Sequence, residues 1–278
     1  MLSVVVNWSV EHADLAATLA DLSPQVEAVG GEIIVVSRFD GKKTRSYARF
    51  QRVDHPGEPA AWEAGARVAR NMLVAFTAAG CRYAEGWARG AIEGASEVVA
   101  GPVGIVDGAG VVARCVYLCD YSAFGVRRIP AGVAAACNVS FDRATLRRLG
   151  PRHGWEKWAM LGRGGPRVAW SASMRAMVDP PPGLRRNGLA QFARGRHYAA
   201  GRSAGWARWA RIAASPACVG LPAVRLGRLV ADGALGRADG GSRALRLALM
   251  AGLVGCWSLG EMAGYLIGPD IDESRHEG

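Results

Sequence analysis

The sequence predicts an α/β fold, a mostly parallel sheet flanked by helices, with a basic helical C-terminal region. Three observations carry this. Apolar runs of strand length alternate with windows of helical spacing over the first 150 residues. The runs LSVVV and EIIVV are continuously apolar, as strands covered on both faces are. The charge is lopsided: residues 1–150 carry 16 basic and 15 acidic side chains, and residues 151–278 carry 18 and 9.

Each element follows in order. LSVVV opens the chain as a strand. EHADLAATLADL places Leu15, Leu19 and Leu22 on one helical face. EIIVV, residues 32–36, is a second strand, and residues 47–53 hold a weaker third. Residues 62–71 read as a helix that feeds the strand MLVAF. A helix over 87–96 leads to EVVAGPVGIV, read as one further strand. Residues 115–124 form a helix with Tyr117 and Tyr121 one turn apart. AACNVSF is a strand, and DRATLRRLG starts a helix capped by Asp142. DPPPG at 179–183 is turn chemistry and marks a domain boundary. Three regions result: 1–178, the α/β domain; 179–246, a basic Arg-rich helical region; and 247–268, a hydrophobic membrane-associated helix.

Half the residues are hydrophobic and 21% are charged, which excludes a disordered chain. Arginine outnumbers lysine 31 to 3, a bias that a GC-rich genome explains as readily as function does. Residues 185–246 nevertheless hold 12 arginines against Asp232 and Asp239. This block leads into LALMAGLVGCWSLGEMAGYLIG, 22 residues with Glu261 as the one charge. A spanning helix, an interfacial helix and a re-entrant hairpin all fit its length and its glycines. Arginines directly before it place that side in the cytoplasm. The opening residues lack a basic n-region and a long apolar h-region, so no signal peptide is expected. The basic block also carries Phe192, Tyr198, Trp206 and Trp209, but no RNA-binding motif accompanies them, and nucleic acid is not an expected partner.

The six cysteines, at 81, 115, 119, 137, 218 and 256, have neither zinc-like spacing nor a call for disulfides. His12, His55, His153 and His197 are isolated. No Gly-x-Gly-x-x-Gly follows the first strand, and no P-loop or Gly-x-Ser-x-Gly elbow occurs. Dinucleotide folds, P-loop NTPases and α/β-hydrolases are thus unsupported. In a parallel sheet, ligands bind beyond the carboxyl ends of the strands. The loops at 7–11, 37–41 and 77–81, and the chain from Asn138 onward, are therefore the places for a site.

Over residues 1–205 the order of segments resembles the family 2 glycosyltransferases, with their GT-A fold. LSVVV, a helix and EIIVV resemble the family's first nucleotide-binding unit. LVAFTAAGCRYAEGW resembles the segment with its Asp-x-Asp motif and the turn that follows. GPVG resembles the next strand, and AACNVSFDRATLRRLG the acceptor-side strand and helix. GWEKWAMLGRGGPRVAW resembles the helix with the catalytic acid, a glycine turn and a strand. QFARGRHYAAGR resembles the arginine-rich segment after the domain, and WSLGEMAGYLIG the tail of membrane-associated members.

The resemblance implies a transferase moving a sugar from a nucleotide sugar to a glycan or glycolipid, lipid-linked or of the cell envelope, at the cytoplasmic face of a membrane. Glu156 falls where the catalytic base stands, and Trp155 beside it in the donor and acceptor pocket. Ser37 and Asp40 fall where the family binds the nucleotide. Thr77, Asn138, Arg194 and Arg196 fall in the donor and acceptor pocket. The Asp-x-Asp position coincides with residues 77–79, which read Thr-Ala-Ala, and no carboxylate occurs between Asn71 and Glu85. A divalent cation takes hard oxygen ligands, so no metal cofactor is expected. The arginines then replace the cation on the diphosphate, or face a membrane. Gln191-x-x-Arg194 is followed by Gly195 where processive synthases carry tryptophan. The alternative is a catalytically inactive GT-A-like binding or scaffold protein at the membrane.

Overall fold

The computed structural model describes residues 1–8, 13–37, 48–53, 58–93, 96–125, 134–149, 166–231 and 242–267. Strands β1 (Leu2–Trp8), β2 (Glu32–Ser37), β3 (Ala48–Arg52), β4 (Leu73–Ala78), β6 (Val98–Ala100), β8 (Asn138–Asp142) and β9 (Val168–Trp170) form one sheet. Its order is β3-β2-β1-β4-β8-β6-β9. All pairings are parallel except those of β8, which runs against both neighbours. Strands β5 (Cys81–Tyr83), β7 (Val103–Ile105) and β10 (Ala176–Val178) form a second, small sheet in the order β5-β10-β7. The expected mostly parallel α/β sheet is present.

Every residue of β1 is buried. Side chains of one parity, Val5 with Ile34, Val36, Val74 and Phe76, form a core with helix α2 (Glu58–Val68). Trp62, Phe76 and Phe141 meet there edge to face, at centroid distances of 6.2 and 5.9 Å. Gly65 lets α2 lie against β1, since a Cβ there would collide with Val5. The other parity, Val4, Val6, Ile33 and Val35, is equally buried on the opposite face. Helix α1 (Leu15–Ala28) is capped by Asp14, whose carboxylate accepts from the Ala17 amide at 2.9 Å. It runs six residues beyond Leu22, through Pro24, and ends with Gly30 at φ +65. Helix α3 (Trp87–Glu93) packs on α1, β6 and β8. Helix α5 (Arg143–Arg148) starts at the predicted cap, with Asp142 accepting from the Thr145 amide at 2.6 Å.

Three local expectations change. EVVAGPVGIV is two strands in two sheets, split at Gly101–Pro102. Pro102 has no N–H for a ladder, and a side chain at Gly101 would collide with the Met174 carbonyl. The helix expected over 62–71 starts at Glu58 and ends at Val68. Residues 70 and 71 instead bind the amino ends of the strands, where the Arg70 amide donates to Glu32 at 2.6 Å and Asn71 donates to the Leu2 carbonyl at 3.0 Å. Strands β5 and β10 go unread because three residues are too short to show a period.

The chain divides into two compact units: residues 1–107 with 123–179, and residues 108–122 with 180–278. The break at 179 falls in DPPPG, but the helix α4 (Val111–Tyr121) belongs to the second unit, where the sequence boundary at 178 does not place it. The expected helix at 115–124 begins earlier and finishes in a short 3₁₀ turn. The second unit also holds α6 (Leu184–Arg202), α7 (Arg208–Ala214), α8 (Ala217–Ala231) and α9 (Arg243–Ile267). Helix α9 is its centre, packed by α4, α6, α7 and α8. By length and composition it is apolar enough to cross a membrane, yet 44% of its most apolar window is buried inside the protein.

Helices α6 and α9 meet through small residues. A Cβ on Gly195 would strike the Trp257 carbonyl, one on Gly260 the Phe192 carbonyl, and one on Gly264 the Arg196 carbonyl. Gly260-x-x-x-Gly264 thus faces Gly195-x-x-x-Ala199 across the closest approach. Glu261 lies beside this seam, accepting from Trp257 Nε1 at 3.2 Å. Against the desolvation of burial, Tyr265, Tyr198 and Glu261 hold the Arg202 guanidinium above its ordinary value. Burial pushes the Tyr265 hydroxyl up to about 12.

Two predictions follow from the packing. Gly260→Ala should destabilise the protein by about 1–3 kcal/mol in denaturant unfolding, the usual cost of overpacking. Gly252→Ala, on the open side of the same helix with nothing within 4 Å of the new methyl, should stabilise it by up to about 1 kcal/mol through helix propensity. Glu32 provides the second prediction. It ties the strands' amino ends by accepting from Ser3 Oγ at 2.7 Å, Arg49 Nη1 at 2.9 Å and the Arg70 amide. Burial opposes the charge, but these three donors hold its carboxyl below the usual value. A depressed folded value gives stability that is present above the ordinary carboxylate range and lost as pH falls through the folded value. Glu32→Gln should therefore lower stability at pH 7 and flatten the acid limb of a stability–pH curve.

Candidate functional site

The parallel register brings the carboxyl ends of β2, β1 and β4 to one edge of the sheet. Asn7 pairs with Val36 on one side and Ala78 on the other, and Trp8 pairs with Ser37. Thr77 at the end of β4 stands opposite Asn138 at the start of antiparallel β8. Ser37, Thr77 and Asn138, chosen from the sequence, therefore lie on the same edge. Strand polarity alone makes this edge the place where a ligand can reach several loops at once.

The hydroxyls there are turned to the sheet. Ser37 donates to the Trp8 carbonyl at 2.8 Å, and Thr77 donates to the Val5 carbonyl at 3.0 Å. Both residues are fully buried. Between them, Asn7 is 4% exposed, and its Oδ1 has no hydrogen-bond partner among the described residues. A buried amide oxygen without a partner is costly unless something else supplies the donor.

The turn after β4, where the family resemblance puts a metal motif, is fixed by backbone bonds. The Ala79 amide donates to the Asn7 carbonyl at 2.9 Å, and the Ala78 amide donates to Tyr83 Oη at 3.1 Å. The Tyr83 hydroxyl donates on to the Cys137 carbonyl at 3.2 Å, and burial pushes its pKa well above the ordinary value, with Cys81 and Cys137 adding to the rise. Gly80 takes φ +84, and its amide donates to Thr18 Oγ1 at 3.0 Å. Thr18 donates in turn to the Cys81 carbonyl at 2.8 Å. Residues 77–79 offer a cation one hydroxyl, already bonded, and two methyl groups. They do not fit a divalent ion. Among the described residues no group of three or more His, Cys, Asp or Glu could hold a metal.

Asn138 occupies the edge as a brace. Its Oδ1 accepts from Trp87 Nε1 at 2.7 Å, and its Nδ2 donates to the carbonyls of Pro102 at 3.1 Å and Met174 at 2.7 Å. It thus joins α3, the β6–β7 link and the turn before β10. Of the two roles open to it from the sequence, contacting an acceptor or bridging loops, the protein bonds it makes are those of the second.

Arg194 lies in the helical unit. Its Nη1 pairs with Asp120 Oδ2 at 2.6 Å, while Gln191 Nε2 donates to Asp120 Oδ1 at 2.7 Å. Gln191-x-x-Arg194 is thereby a two-pronged clamp on one carboxylate of α4. Arg196 is half-buried on the same helix, its carbonyl against Gly264. Asp40, Trp155 and Glu156 lie outside the described residues.

The chain matches no family model, and no curated protein. Solved structures do resemble it at low sequence identity. One is the mannosyltransferase PcManGT from Pyrobaculum calidifontis, in complex with GDP-Man and Mn²⁺. It is 14% identical over 96% of this chain and 74% of that one, with a TM-score of 0.44. Another is residues 1–349 of TarS from S. aureus in complex with UDP-GlcNAc, 13% identical over 97% of this chain and 93% of that one, with a TM-score of 0.48. The same TarS segment with UDP gives 13% identity, 94% and 90% coverage, and a TM-score of 0.46.

Asn7 is the residue that sequence reasoning reached only as the start of a loop. Its signal, a polar side chain ending an otherwise apolar strand, is visible in LSVVVNW but does not by itself separate a ligand contact from a turn. Asn138 provides the stability test. Asn138→Ala removes three hydrogen bonds and leaves an indole N–H and two carbonyls buried, which should cost about 3 kcal/mol or more. Thermal unfolding would show it as a lowered midpoint.

Proposed function

We propose that this chain is a GT-A-like glycosyltransferase, using a nucleotide sugar and a lipid-linked or cell-envelope glycan acceptor, at the cytoplasmic face of a membrane. The observation that carries the reading is the edge formed by β2, β1 and β4. Three parallel strands end together there, and between them Asn7 keeps a buried oxygen without a donor among the described residues. A nucleotide's base or ribose brings N–H and O–H donors that would satisfy it. Asp40, three residues past the end of β2, belongs to the same reading.

Glu156 is the proposed general base. It would take the proton from the acceptor hydroxyl as that oxygen attacks the anomeric carbon, while the nucleoside diphosphate leaves. Charge builds on the leaving diphosphate and is the main electrostatic demand of the step. The residues at 77–79 do not supply it with a held cation. Arginine is the proposed substitute. Arg194, which also pairs with Asp120, and Arg196 are the two named for this role from the sequence.

Transfer should survive EDTA, and Mn²⁺ should not tighten donor binding in calorimetric titrations of UDP and GDP sugars. Glu156→Gln should slow transfer by roughly 10²–10⁴-fold, the contribution of a general base. Asn7→Ala should weaken nucleotide binding about tenfold, the worth of one buried hydrogen bond to a ligand. Donor binding without any transfer would favour the second reading, a catalytically inactive GT-A-like protein. The bonded Thr-Ala-Ala turn at the metal position is the observation in its favour.

A further inference from the structure

The helical unit wears an apolar and cationic outer surface. Among the described residues, the exposed large apolar side chains of the sheet unit are Met1 and Met72; every other one lies on α6–α9 or the link between α6 and α7. They are densest from that link through α8: Trp206, Trp209, Ile212, Val219, Val224 and Val230. Trp209 is 75% exposed and Val219 is 76% exposed. On α8 the same side carries Gly220 and Gly227, where an added Cβ meets nothing within 4 Å. No part of the described protein covers this surface.

Among the described residues of α6–α9 and their links, the exposed charge is of one sign. Residues 184–231 and 242–267 contain a single carboxylate, Glu261, which is buried against Trp257. Arg208 and Arg228 are exposed among the apolar side chains. Two indoles, short aliphatic side chains and exposed arginines suit one environment, the headgroup boundary of an anionic bilayer. There the rings sit at headgroup depth, the aliphatic groups reach the acyl boundary, and guanidinium groups meet phosphates.

We infer that α7 and α8, with Trp206, form a docking surface for anionic phospholipid headgroups, and that the chain lies on the membrane through it rather than spanning with α9. This deepens the membrane location proposed above and is independent of sugar transfer. Helix α9 is already held by α4, α6, α7 and α8, and its glycine seam with α6 would have to open for it to cross alone.

The full chain, without nucleotide sugar, would be floated with phosphatidylcholine vesicles, with and without phosphatidylglycerol. Binding should require the anionic lipid and be released by high salt, because screening removes the headgroup attraction. Trp209→Ser with Ile212→Ser should reduce the bound fraction at least tenfold. Arg208→Gln should reduce it about fivefold, the worth of one arginine near an anionic surface. All these side chains are exposed, so thermal unfolding of the variants should match the parent. Three results would overturn the inference: equal binding to uncharged vesicles, retention that high salt and alkaline carbonate do not release, or a dimer in solution that the double serine variant dissociates. Retention would point to a spanning α9, and the dimer to a second copy as occupant. Vesicle binding without any donor binding would sink the transferase reading alone, and donor binding without vesicle binding would sink the docking surface alone.

Discussion

The sheet unit depends on one constraint: β1 is buried from end to end and hydrogen-bonded in parallel to β2 and β4 at once. A strand with no exposed face is covered on both sides, and in β1 the two polar residues, Ser3 and Asn7, stand near its ends. The need for that cover fixes the alternation of strands and helices around it. Parallel pairing also forces the carboxyl ends of all three strands to one edge, so the site position is a consequence of strand polarity. The two ends of this trio are finished differently. Glu32 gathers donors at the amino ends, whereas Ser37 and Thr77 turn their hydroxyls back to sheet carbonyls at the carboxyl ends. Asn7 is left there with a buried oxygen that no donor among the described residues meets.

The turn after β4 is a frame held by its backbone. Ala79, Gly80 and Ala78 are held by Asn7, Thr18 and Tyr83 through backbone amides. Those bonds do not depend on the side chains at 77–79, so the turn holds its shape with the sequence Thr-Ala-Ala.

In the helical unit, close backbone approach does the work that large side chains do in the sheet unit. Glycines let α6 and α9 approach until carbonyls lie where methyl groups would otherwise be. Elsewhere in that unit, large apolar side chains, Leu229, Met250, Leu253 and Val254 among them, fill the core between α9, α4 and α8.

The sequence by itself determined the α/β alternation, the strands at residues 2–6 and 32–36, the Asp142 cap and the missing carboxylates at 77–79. Each rests on local spacing or on residue identity. It also marked the turn at 179–183, but not the membership of α4 in the second unit, which depends on contacts far apart in the chain. Tertiary structure decided that β8 runs antiparallel and that Gly101–Pro102 divides one apolar run between two sheets. Strand direction is invisible to a period of two. It likewise turned Asn138 into a brace and Gln191 with Arg194 into a clamp on Asp120, because only folding shows which partner a polar side chain meets. The run at 247–268 is the clearest case. Hydropathy gives its length and its apolar character, but whether its faces meet lipid or protein is set by the helices that surround it.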